Sequence, residues 1–158
     1  MTRKSTKHSG GKTSAAQLRI NRALSVASLS RLLQLNFAQG AYLIELSYDP
    51  KHYASVPAYV EHDVSAWLRI ARRQVKAFQY VRAIEWPQGD KLTAAHHVIM
   101  DLSREDVECV MENWTLGPAQ IREIASGQVP ALAEQLVQNA GSETGRHAWA
   151  ASRGLKRS

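Results

Sequence analysis

Residues 80–102, YVRAIEWPQGDKLTAAHHVIMDL, read as a β-hairpin around which the rest of the chain is organised. Tyr80 to Trp86 alternates in polarity and is rich in residues that pack well on a pleated surface, so it predicts a strand. Pro87, Gly89 and Asp90 supply turn chemistry, because proline presets φ while glycine and aspartate tolerate tight backbone geometry. Thr93 to Leu102 is a second apolar run, short for a helix. The hairpin carries a cluster of metal-type side chains. Glu85 closes its first strand and His96 and His97 open the core of its second. A carboxylate and an imidazole facing each other across neighbouring strands suit a divalent cation. Two half-buried polar side chains at a hairpin mouth account for the same residues.

Outward from the hairpin, Ala41 to Asp49 (AYLIELSYD) is the clearest strand. Tyr42, Ile44, Leu46 and Tyr48 share one side; Ala41, Leu43, Glu45 and Ser47 share the other. Apolar residues on both sides at its start predict a central strand. Ala16 to Gln39 repeats leucine at helical spacing before Gly40. Val60 to Phe78 places Val64, Trp67, Leu68, Ala71, Val75 and Phe78 on one helical face. Its other face carries Arg69, Arg72, Arg73 and Lys76, which read equally as a polyanion contact or as a solvated face. Ser103 and Asp106 form a capping pattern that opens a helix to about Asn113. Ala119 to Ile124 is a candidate edge strand, and Pro130 to Asn139 a last helix with proline in its first turn. The order is strand–helix–strand–strand–helix–strand after an extra N-terminal helix. It predicts a ferredoxin-like, split βαβ α+β domain over residues 16–140, its antiparallel sheet covered by helices on one face and open for ligand on the other. Residues 1–15 predict a disordered basic arm and residues 141–158 a basic C-terminal tail.

Charge is unevenly spread. Residues 1–44 hold seven Lys or Arg and no acid, and residues 146–158 hold four more, again with no acid. Between them, nine Lys or Arg face fourteen Asp or Glu, a balance of −5 within a total of +6. Basic ends favour polyanions, with affinity that falls as salt rises. No apolar stretch approaches the roughly 20 residues that cross a bilayer, and no apolar segment follows the basic start as a secretory signal requires. The single cysteine, Cys109, excludes a disulfide framework within the chain and fits a reducing, cytoplasmic setting.

Four further features, taken in order, resemble the small rolling-circle replication initiators of phages and plasmids, the HUH endonuclease class. ELSYDP (45–50) is followed by the basic helix WLRIARRQVK (67–76). YVRAIEW (80–86) and AAHHVIM (94–100) resemble the carboxylate and histidine strands of that class. WTLGPAQIREI (114–124) resembles the segment after the next helix, and RHAWAASRGLKR (146–157) the basic ending. The resemblance implies a strand with His-x-His that, with a nearby carboxylate, holds Mg²⁺ or Mn²⁺. It also implies a tyrosine on the following helix that attacks a DNA phosphate. Glu85 matches the carboxylate and His97 the second histidine. The first histidine falls on Ala95; His96 is adjacent, but a one-residue offset points it to the opposite face. The tyrosine falls on Gln135, and no tyrosine follows Tyr80.

Both departures predict an initiator-like nucleic-acid-binding protein of a phage or mobile element that has lost nicking and serves a regulatory role. Its vestigial metal residues are Glu85, His97 and His96, which hold no cofactor or only weakly bound Mg²⁺ or Mn²⁺. Arg69, Arg72, Arg73, Lys76, Arg82, Arg153, Lys156 and Arg157 are the candidates for contact with single-stranded or hairpin DNA. Two alternatives stand beside this reading. One is an inhibitor that grips a host nuclease or defence protein through the same fold, and the other a metal-dependent nickase with an unorthodox site.

Overall fold

The computed structural model describes residues 14–38, 40–52, 57–89, 92–141 and 148–157. Of the expected basic arm, residues 1–13 lie outside the described residues. Ser14 already belongs to the fold: its Oγ accepts the Gln17 N–H at 3.0 Å and caps helix α1, Ala15–Asn36. There follow β1 (Tyr42–Ser47), α2 (Pro57–Gln74), β2 (Tyr80–Glu85), β3 (Ala95–Met100), α3 (Arg104–Met111), β4 (Ala119–Glu123), α4 (Val129–Ala140) and β5 (Trp149–Ala151). Ser103 caps α3, its Oγ accepting the Asp106 N–H at 3.2 Å.

The five strands form one antiparallel sheet in the order β4-β1-β3-β2-β5. The hairpin is β2–β3, and β1 is central, as the apolar residues on both its sides require. The α+β split βαβ arrangement is therefore the observed one. The sheet, however, is covered on both faces rather than one. Ile44, Leu46, Val98 and Met100 pack with Val60, Val64, Trp67 and Ala71 of α2 and Val107 and Val110 of α3. Leu43, Val81, Ala83 and Ile99 point the other way, against Leu29, Leu32 and Leu33 of α1 and Leu132, Ala133, Leu136 and Val137 of α4. The physical reason is the double apolar alternation in β1, β2 and β3. A strand with apolar side chains on both faces leaves about 1.5–3 kcal/mol per exposed Leu or Ile unrealised unless each face finds a helix. The extra N-terminal helix and the last helix supply that second layer.

The basic C-terminal segment is part of the sheet. β5 pairs with residues 81–83 of β2, and Ser152 is tied to both backbone groups of Tyr80. Leu155 is buried in the α1–α4 core. Asn36 closes the arrangement: its side-chain amide donates to Lys156 O at 2.8 Å and accepts the Lys156 N–H at 2.9 Å. No helix among the described residues is long and apolar enough to cross a membrane.

Candidate functional site

Strand register builds the first candidate site. β3 runs between β1 and β2, so His97 lies opposite Glu45 on one side and Ala83 on the other. Glu85 lies two residues along β2 from Ala83, opposite Ala95. Odd-numbered residues of all three strands face α1 and α4, so Glu45, Glu85 and His97 share that face. His97 Nε2 is 3.0 Å from Glu85 Oε1, with the two side chains 12% and 18% exposed. One ligand atom from each of Glu45, Glu85 and His97 lies within 4.8 Å of the other two. Two carboxylates and an imidazole are a donor set for Mg²⁺ or Mn²⁺, with water completing the shell. They fit such an ion. In that contact the His97 Nε2–H donates to the Glu85 carboxylate, so an ion at Nε2 would take the place of that proton.

Two sequence expectations meet here and one separates. Glu85 and His97 are brought together as expected. Ala95 occupies the same face, buried beside Glu85, where a second histidine would complete the set. Glu45 is the member of the cluster that the hairpin reading missed. Its signal was a carboxylate in the middle of an otherwise apolar central strand.

His96 points to the opposite face and is fully buried. Tyr48 Oη donates to Asp63 Oδ2 at 2.8 Å and lies 2.9 Å from His96 Nε2. With the hydroxyl proton committed to Asp63, Nε2–H donates to the tyrosine oxygen, which makes Nδ1 the unprotonated nitrogen. Nδ1 has no hydrogen-bond partner among the described residues. Burial, then the charges of Arg82 and His97, lowers the His96 pKa to about 3. Burial and Asp63 push the Tyr48 hydroxyl far above its ordinary range. His96 and Tyr48 are thus neutral packing and hydrogen-bonding groups, set edge-on against Trp114. Among the described residues, Tyr42, Tyr48 and Tyr80 all lie on this α2–α3 face, and Tyr59 is exposed on α2. None shares the face of the Glu45–Glu85–His97 cluster. Tyr53 lies outside the described residues. Gln135 is exposed on α4, whose buried side meets the sheet.

The basic residues divide into four places. Arg72, Lys76 and Arg153 line one groove of about 710 Å³, with Tyr80 and Asp101 between them. The Arg72 guanidinium sits 4.5 Å from the centre of the Phe78 ring and 5.9 Å from that of Tyr80. Asp101 Oδ1 accepts the Gln79 N–H at 2.7 Å, which occupies part of its acceptor capacity. Arg69 and Arg73 are exposed on α2 outside the groove lining. Arg82 is withdrawn into an ion pair with Glu61 at 3.2 Å. Arg157 lines a separate cleft against α1, and Lys156 is exposed beside it.

No protein-family model, curated protein or solved structure matches the chain. Its chemistry is therefore read from these two sites.

Proposed function

We propose that the protein is a nucleic-acid-binding domain of the rolling-circle-initiator kind that does not cut through a tyrosine. The observation that carries this reading is the meeting of Arg72 and Lys76 from the α2 end with Arg153 from the C-terminal segment in one groove beside Tyr80. Three cations beside the partly exposed Tyr80 ring suit a phosphate backbone and an unstacked base. The domain would work in a reducing compartment, consistent with its single cysteine, and a regulatory role on a mobile element fits binding without cleavage.

The test uses a labelled single-stranded DNA hairpin with Mn²⁺ at low and moderate salt. Salt-sensitive binding, no cleavage and no covalent protein–DNA adduct are expected. Replacing Arg72, Lys76 and Arg153 together by Gln should weaken binding at least tenfold; unchanged binding would sink the proposal.

One observation favours a second reading. With Glu45 added to Glu85 and His97, a bound divalent ion could activate water against a phosphodiester. Mn²⁺-dependent cleavage abolished by Glu85→Gln or His97→Ala would establish it. On either reading, calorimetry should detect weak Mn²⁺ binding that disappears in Glu45→Gln. Retention of that binding would remove Glu45 from the ligand set.

A further inference from the structure

β5 stops short of β2. Among the described residues it pairs with residues 81–83, while β2 runs on to Glu85 and the chain to Trp86. The step leaves a cleft of about 220 Å³, separate from the basic groove and lined by Trp86, Trp149, Arg82, Glu61, Ala83 and Ala140. The four tryptophans of the chain fall into two kinds. Trp67 and Trp114 are buried, and their indole N–H groups donate to Val110 O and Ser47 O. Trp86 and Trp149 are half-exposed, and among the described residues neither indole N–H has a partner. A half-exposed indole with no protein partner offers a ligand a large apolar surface and a donor otherwise given to water. Two of them line this cleft. It also holds the Arg82–Glu61 pair, a fork of N–H donors beside a carboxylate acceptor at 3.2 Å.

The geometry points to a binding site for one nucleobase, guanine in preference, stacked against Trp149 and Trp86 with its polar edge on Arg82 and Glu61. The cleft is smaller than the roughly 300–1,000 Å³ of sites for drug-sized ligands, so it suits a single planar ring system. Aromatic stacking accepts any base. The donor–acceptor pair selects among them. Arginine donates to the O6 and N7 acceptors of guanine. A carboxylate accepts the N1–H and N2–H groups on guanine's other edge, which adenine, cytosine and thymine do not present together. This inference rests on the nucleic-acid reading and adds to it a base-specific contact away from the phosphate groove.

The experiment follows intrinsic tryptophan fluorescence and anisotropy of the full chain with three labelled oligonucleotides. One is all thymidine, one carries a single central guanine, and one an abasic residue at that place. The guanine strand should bind about tenfold more tightly than the abasic one and quench tryptophan emission. Glu61→Gln, a change at a half-exposed side chain that leaves the core untouched, should erase the guanine preference without changing the salt dependence. Trp149→Ala should remove the quenching. Equal affinity for all three strands, or guanine preference surviving in Glu61→Gln, would overturn the base site while leaving groove binding intact. If no strand binds, the nucleic-acid reading fails. Guanosine monophosphate then decides the cleft: saturable quenching lost in Trp149→Ala supports the base site, and none overturns it.

Discussion

Burial keeps the His96 imidazole neutral, its pKa lowered to about 3 from an ordinary 6.5. Above pH 6.5 neither the folded nor the unfolded chain binds this proton, and the full stability is present. Below it the unfolded chain takes a proton that the folded one refuses, so stability is lost continuously from pH 6.5 down towards 3. Urea unfolding should show a loss of ~1.4 kcal/mol from this residue between pH 8 and pH 5.5. In His96→Asn that component of the pH dependence should vanish; an unchanged slope would show that His96 titrates normally. Gly117 is constrained differently. A Cβ there would lie 2.5 Å from the Asp49 amide nitrogen and 2.6 Å from the Tyr48 carbonyl carbon, where the chain entering β4 crosses the end of β1. Both obstacles are backbone, so Gly117→Ala should cost about 2–3 kcal/mol by thermal or urea unfolding, at the upper end of overpacking effects. At this scale the opposed directions of His96 and His97 were legible, because alternation on a strand is geometric. Glu45 was not, because its partnership with His97 comes from the pairing of strands far apart in sequence.

The elements with sustained periodicity were legible to within a few residues: α1, β1, the β2–β3 hairpin and α4 all lie where apolar spacing placed them. β5 was read only as a basic tail. Trp149–Ala151 is too short to show alternation, and its strand conformation comes from pairing with β2 and from anchors on either side. Those anchors are testable. Asn36 holds Lys156 through two hydrogen bonds, so Asn36→Ala should destabilise the domain by roughly 1–2 kcal/mol. Hydrogen exchange should accelerate at residues 149–152 and along the outer edge of β2, leaving β1 and β3 protected. Uniform acceleration across the sheet would mean that the C-terminal segment and the core unfold as one unit. In α1, buried positions begin at Leu29, and Ile20 and Leu24 upstream are 52% and 64% exposed. The helix thus owes its first half to the Ser14 cap and local propensity rather than to packing.

Across the whole molecule, the sheet separates two apolar layers, and the candidate sites lie where that sandwich is incomplete: at strand ends, at the step beside β5 and in the groove below α2. The expectation of an open face failed because α1 and α4, far apart in the chain, meet only once folded, and such meetings carry no local sequence signal. Charge was legible in amount but not in place. Arg153 belongs with Arg72 and Lys76, whereas Arg82 belongs with Glu61. If those three cations each displace a counterion from a single strand, their joint replacement should lower the slope of log affinity against log salt by about 2. A fall in affinity with no change of slope would show that they act on bases rather than phosphates. The strand order bears also on the rate at which the fold is reached. Only β2 and β3 are neighbours both along the chain and in the sheet; Leu46 must find Ala119, and Ala83 must find Trp149. Such distant closures slow folding to the millisecond-to-second range typical of high contact order. Until β1 docks, a formed hairpin presents two unpaired edges, so refolding yield should fall as protein concentration rises.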